Sequence, residues 1–198
     1  MNSKKAFFVQ RLGAFAIDFM IVFFVASLIA SVFIDQNKTD SLVNQSNELM
    51  NSYVNEKIDT NSFISQYSVL SYKIARNNGG LSLTLIVINV LYFIVFQLYN
   101  KGQTVGKALL KIKVVSNDGE LEMNQMLFRG LIANSILIEI ISFAVMLFCK
   151  SDAYFYCVGV VELLQYLIMF ISMIMILNHK DGRAIHDKIV NTSVIRVN

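Results

Sequence analysis

Five polar or ionisable side chains interrupt stretches that are otherwise apolar. They are Asp18 in RLGAFAIDFMIVFFV, Asn89 in LSLTLIVINVLYFIVF, Asn134 and Glu139 in LIANSILIEIISFAVMLF, and Glu162 in the apolar run that follows. A carboxylate in an apolar medium is costly, so each of these acids must face protein or water. A carboxylate that alternates between protonated and charged forms suits proton transfer, and its charged form suits a monovalent cation. Asp18, Glu139 and Glu162 are therefore candidate transient cation ligands. The competing reading is structural. Glu139 and Glu162 bond across helices, as polar groups in membranes do, and Asp18 pairs with Arg11, which lies near the same helix face.

The elements that would position these groups are spanning helices. Charged residues make up 16% of the 198-residue chain, against roughly 25% in soluble domains. A span takes about 20 mostly apolar residues, and segments 12–34, 81–99, 131–148 and 153–177 meet that need. Four such segments leave too little chain to cover them in water. The expected fold is an all-α polytopic membrane protein in one domain, with spans 1 to 4 at those positions. The first apolar run is too long for a signal-peptide core and contains Asp18, so it is expected to remain as span 1.

Four spans put both termini on one side. That side, with the 100–130 loop and the 178–198 tail, carries twelve of the seventeen Lys and Arg residues, and the other side carries five. The positive-inside rule makes the richer side cytoplasmic. The 35–80 segment is then an extracytoplasmic loop, too long to be a bare link. Apolar residues recur in it at three and four positions, as on helix faces. Two amphipathic helices are expected, acting either as a cap over a substrate path or as a packing module.

Gly102, Gln103, Thr104, Gly106 and Lys107 superficially resemble a phosphate loop. Only three residues separate Gly102 from Gly106, and Ala108 follows Lys107 where a Ser or Thr would hold magnesium. The glycines fit tight turns instead, with an extended stretch at 111–115 and an interfacial lead through 124–129 into span 3. Arg129 is placed to meet either lipid headgroups or an acid such as Asp18. A His–Asp dyad such as His186 with Asp187 can form part of a metal or acid–base site, but adjacency alone is weak evidence for one. Cys149 and Cys157 are either bonded or buried as small apolar residues. His179 and His186 lack a thiol partner for zinc. No enzyme chemistry, cofactor or nucleic-acid partner is expected.

Taken in order, RLGAFAIDFMI, GQTVGKALLKIKVV at 102–115, Arg129 and DGRAIHDKIVNTSVI at 181–195 resemble the RDD family of small bacterial membrane proteins. The family is named for an arginine and two aspartates; Arg11 and Asp18 match the first two, and Asp187 is assigned as the third. The resemblance implies a multi-pass bacterial cell-membrane protein. Some members are linked to sodium–proton exchange. It raises the expectation of a secondary transporter exchanging protons for sodium or another small monovalent cation, with Arg11, Asp18, Asn89, Arg129, Glu139, Glu162 and Asp187 in a transport path or polar cluster. The alternative is an assembly or regulatory subunit of a larger transport or cell-envelope complex. Expected partners are membrane lipids and either a second copy of the chain or such a complex.

The topology has a direct test. In a background lacking Cys149 and Cys157, a cysteine at Ser46 should react with an impermeant thiol reagent on intact cells. Cysteines at Ser3 and Ser193 should react only after permeabilisation.

Overall fold

The computed structural model describes residues 5–32, 34–178 and 181–197. Lys4, Lys180 and His179 lie outside the described residues. The first long helix is α1 (Phe8–Ala30). Two shorter ones follow, α2 (Gln36–Val54) and α3 (Thr60–Asn77). The second long helix runs Gly79–Tyr99: α4 (Gly79–Val90), a π-helical stretch (Leu91–Phe96) and a final turn, α5 (Gln97–Tyr99). Beyond it come α6 (Val105–Leu109), β1 (Ile112–Ser116), α7 (Met123–Ala133), α8 (Ile136–Phe148), α9 (Ser151–Asn178), α10 (Ile185–Ile189) and β2 (Thr192–Arg196).

Among the described residues, α1, the Gly79–Tyr99 helix and α9 are long and apolar enough to cross a membrane. The α7–α8 pair, bent by 65°, makes a fourth crossing if it is one broken span. The apolar windows of the three long helices are only 22%, 22% and 11% buried within the protein. That much exposed apolar surface requires a non-aqueous surrounding. Span 1 begins and ends about a turn earlier than the sequence pattern suggests.

The third apolar segment departs most from a simple span. Its break falls at Asn134 and Ser135, where Ser135 adopts φ +59°. That conformation is costly for a residue with a side chain and persists only when its surroundings enforce it. Gln165, buried on α9, donates to the Ser135 hydroxyl at 2.7 Å and braces the break.

The 35–80 loop forms the expected helix pair. Asp35 caps α2 and Asp59 caps α3 by accepting backbone N–H bonds. Tyr53, Phe63 and Tyr67 stack in series, and Tyr67 and Tyr72 meet Phe155 and Tyr154 edge-on. Ser68 donates to Asp152 at 2.9 Å. The hairpin is thus docked on the first turns of α9.

At the opposite end β1 and β2 pair antiparallel, a two-stranded sheet beside the helices. Its register exposes an internal repeat that composition does not reveal. Residues 102–117 correspond to 182–197 at a constant spacing. Gly102 and Gly182 both have positive φ, as do Lys111 and Asn191. Short helix and strand follow at the same positions in each copy. Val114 pairs with its own counterpart Val194, and the Ile112–Arg196 pair maps onto Ser116–Thr192. Val197 N–H bonds Lys111 O at 2.8 Å, and Asn117 N–H bonds Asn191 O at 3.0 Å. The entering helices repeat too. Gln10 accepts from Phe7 N and donates to Leu110 O; Gln125 accepts from Glu122 N and donates to Val190 O. Each half is therefore an entering helix, a returning helix, a glycine turn, a short helix and a strand, with α2 and α3 inserted in the first half, and the sheet that joins them has a two-fold symmetric register.

Gly102 shows how tightly the turn is built. Its φ is +85°, and a Cβ there would run into the Val114 carbonyl oxygen. Gly102→Ala should destabilise the protein by about 2 kcal/mol or more. Gly159→Ala, where a Cβ meets nothing within 4 Å, should be close to neutral in the same thermal denaturation.

Candidate functional site

The sheet sits against α1 and α7, and where they meet lie two buried carboxylates. Asp18 and Asp187 are both 0% exposed. Asp18 projects from α1 onto the first turn of α6. Its Oδ1 accepts from Tyr92 Oη and Gly106 N–H, each at 2.7 Å, and its Oδ2 accepts from the Thr104 hydroxyl. Thr104 in turn caps α6 by accepting from Lys107 N–H. Lys107 Nζ lies 3.8 Å from Asp18 and also donates to Gln97 Oε1 and Thr104 Oγ1. Gly106 is glycine because a Cβ would collide with the Ala14 carbonyl oxygen and come within 2.9 Å of Asp18 Oδ1. Gln103 and Gly102 complete the turn: Gln103 donates to Ile112 O, and Gly102 O accepts from Gln97 Nε2.

Asp187 projects from α10 and takes the two arginines. Arg11 Nη1 reaches its Oδ2 at 2.9 Å; Arg129 reaches its Oδ1 through Nε and Nη2, both at 3.1 Å. Asp187 also accepts from Ala184 N–H at 3.2 Å, closing the start of its own helix. Arg11 thus meets Asp187 from the other half of the chain, and Asp18, on its own helix, is held by other donors. Arg129 is buried, and its acid is likewise Asp187.

The repeat clarifies the arrangement. Lys107 and Asp187 occupy equivalent positions on the two short helices. On the entering helices, the Gln10–Gln125 correspondence places Ala14 against Arg129 and Asp18 against Ala133. One half has its acid on the entering helix and its base on the short helix; the other half reverses them.

Both clasps border one cavity of about 120 Å³, reached by Arg11, Asp18, Lys107, Arg129, Asn134 and His186. Burial, with Arg129 nearby, lowers the Lys107 pKa to about 7 against the pull of Asp18 and Asp187. Burial is also the main influence lowering His186 to about 4; Asp187 opposes it, and Arg129, Arg11 and Lys107 add to it. Burial alone would raise the Asp187 pKa. Arg129, Arg11 and the Ala184 N–H overcome that and hold it well below the usual carboxylate range.

Asn89, Glu139 and Glu162 lie elsewhere, toward the helix hairpin. Asn89 Nδ2 bonds Glu139 Oε1 and Oε2 at 3.0 and 2.9 Å. Glu139 and Glu162 line a separate cavity of about 270 Å³ with Ser82, Ser142 and Tyr154. The three acids therefore do not share one chamber. Cys149 and Cys157 are free thiols, and among the described residues no three His, Cys, Asp or Glu side chains gather as a metal centre. Tyr92, Gln97 and Gln165 were not singled out from sequence. Nothing local marks any of the three, and Gln97 lies outside the repeated 102–117 stretch.

A polytopic helical fold, consistent with membrane embedding, with a buried Arg–Asp cluster beneath a small sheet, defines the class. The chain belongs to the RDD family, whose model matches residues 5–191. Comparisons with curated proteins and with solved structures gave no significant match.

The cluster carries a pH signature. His186 titrates at 6.5 in its ordinary state and near 4 in the fold. Between those values the unfolded chain binds more protons, so acid favours unfolding. The stability associated with neutral His186 is complete above about pH 6.5 and is lost as pH falls to 4, by on the order of 3 kcal/mol. His186→Gln should flatten the denaturation midpoint over that window, measured against the wild type at matched ionic strength.

Proposed function

We propose that the protein is a secondary transporter exchanging protons for sodium or another small monovalent cation, with Glu139 as the carrier. One observation supports this reading above the others. Glu139 lies in an apolar segment, is held by an uncharged amide, and faces a cavity that contains a second carboxylate, Glu162, and among the described residues no Lys, Arg or His. Such a charge calls for a proton or a cation, and the hydroxyls of Ser82, Ser142 and Tyr154 supply further oxygen ligands of the kind hard cations take. Asp18 is the weaker carrier, because its hydrogen-bond donors and the nearby Lys107 already satisfy it.

Helix breaks lie where a gate would be needed. The π-helical stretch begins just after Asn89, and the α7–α8 break falls just before Glu139. Such interruptions are frequent at functional sites. Ile94 and Ile136, both buried, pack against Gly130 close to these breaks. The basic bias supports an orientation with the sheet in the cytoplasm of a bacterial cell and the Glu139 cavity toward the outer side.

Purified protein in liposomes should couple an imposed sodium gradient to a change of internal pH without ATP. Glu139→Gln should reduce the rate to that of empty liposomes while leaving thermal stability near that of the wild type. A folded, correctly oriented protein inactive with sodium, potassium and lithium would overturn the proposal. It would favour the regulatory-subunit reading, for which copurification of a larger membrane complex is the positive test.

A further inference from the structure

We propose that the cavity between the two repeated halves is a binding site for a small monovalent anion, held by Arg11, Lys107 and Arg129. The proposal does not depend on the exchange reading, because it concerns the other cavity and opposite charge.

Charge is the first argument. Three basic side chains border the cavity, and two carboxylates, Asp18 and Asp187, oppose them. His186 adds no charge at neutral pH. The remaining surplus is a single positive charge in a setting largely removed from water, where an uncompensated charge is expensive. Arg183, before α10, adds to the positive side, although its Nη2 is spent on Asp187 O and Asn191 Oδ1. One small anion neutralises the surplus of the cluster formed by Arg11, Lys107, Arg129, Asp18 and Asp187, whereas a divalent anion overshoots it.

Unused donor capacity is the second argument. Among the described residues, Arg11 Nε is buried with no hydrogen-bond partner, and a buried unmet donor is a feature that needs a partner. Lys107 spends two of its three donors on Gln97 Oε1 and Thr104 Oγ1; the third is left over, since its nearest carboxylate oxygen is at 3.8 Å, longer than a direct hydrogen bond. Both arguments point into the same space of about 120 Å³, roomy for one chloride- or nitrate-sized ion with water.

Position is the third. Every pair of repeated elements contributes to the wall: α1 and α7, the second and fourth apolar helices through Phe93 and Ile176, α6 and α10, and the two strands through Ile112 and Val194. The cavity therefore lies where the halves meet, which is where binding sites of internally repeated membrane proteins form. The apolar part of the wall favours a weakly hydrated anion.

Lys107 makes the site pH-dependent. The charged groups acting on it are Asp18 from α1, Arg129 from α7 and Asp187 from α10. Losing its proton removes the surplus and with it the reason for the anion. Affinity should therefore fall as pH rises above about 7.

The test uses the full chain in detergent with gluconate as the starting anion. Chloride, bromide and nitrate, titrated at constant ionic strength, should raise the melting temperature saturably, and gluconate, too large for the cavity, should not. Lys107→Met should weaken the effect by roughly tenfold or more, as loss of a charge-assisted contact does. Ala133→Met, which fills the cavity wall without changing charge, should do the same and serves if Lys107→Met does not fold. Bromide anomalous density should fall in the cavity. Equal responses to chloride and gluconate, an unchanged chloride response in a folded variant, or bromide only at the surface would overturn the proposal.

Discussion

The fold depends on the Asp187 carboxylate and the two guanidiniums that converge on it. Arg11 comes from the first apolar helix, Arg129 from the third segment and Asp187 from the tail. In lipid, apolar side chains give helices little reason to prefer one another over acyl chains, so packing and polar contacts must set their register. A buried ion pair is weak evidence of net stability, because desolvation offsets the attraction. Removing one partner is nevertheless severe, since a charge is left buried and alone. The clasp therefore acts mainly as a specificity device. An arrangement that separates Asp187 from both arginines leaves three buried charges uncompensated.

The repeat explains why a second clasp exists and why it looks different. Two halves with identical contacts would place like charges at equivalent positions around one two-fold. Reversing acid and base between the halves gives each half an acid facing a base, Asp18 with Lys107 and Asp187 with Arg129, and Arg11 adds one further positive charge to the second pair. It also sets Lys107 near Arg129 and Asp187. The halves are then bound by unlike neighbours across the axis as well as within themselves. Thr104 against Ala184, and Gly106 against His186, follow the same division. The half with the acid on the long helix needs a hydroxyl and a bare N–H on the short one. The half with the acid on the short helix supplies its own cap.

Much of this was legible in the residues. The apolar segments and the paired loop helices follow from period and length, and the need to shield Asp18 follows from the cost of charge in lipid; Asp187 was marked only by the family resemblance. Pairing did not follow. Arg11 and Asp18 lie near one helix face, which makes a local pair attractive, yet Asp187 from the far end of the chain receives the arginine. Sequence spacing describes neighbours within an element and carries little about partners across a fold. The second strand was hidden because TSVIR sits in a polar tail, and only its counterpart IKVVS shows what it pairs with. Ser135 adopts positive φ without glycine, so no turn signal marked the break in the third segment.

The two cavities differ in sign, and that difference constrains any passage between them. The chamber near the helix hairpin contains Glu139 and Glu162 and, among the described residues, no base in its lining; the one beneath the sheet has a surplus base. Ile94 and Ile136, buried at the close approach allowed by Gly130, belong to the apolar core beside the sheet. On the exchange reading, a cation leaving Glu139 toward the sheet would approach that positive chamber, which opposes its entry. Neutralising the chamber lowers the barrier, either by deprotonating Lys107 or by placing an anion beside it. The charge state of the clasp would then govern whether a cation could move toward the sheet, coupling the two cavities through electrostatics.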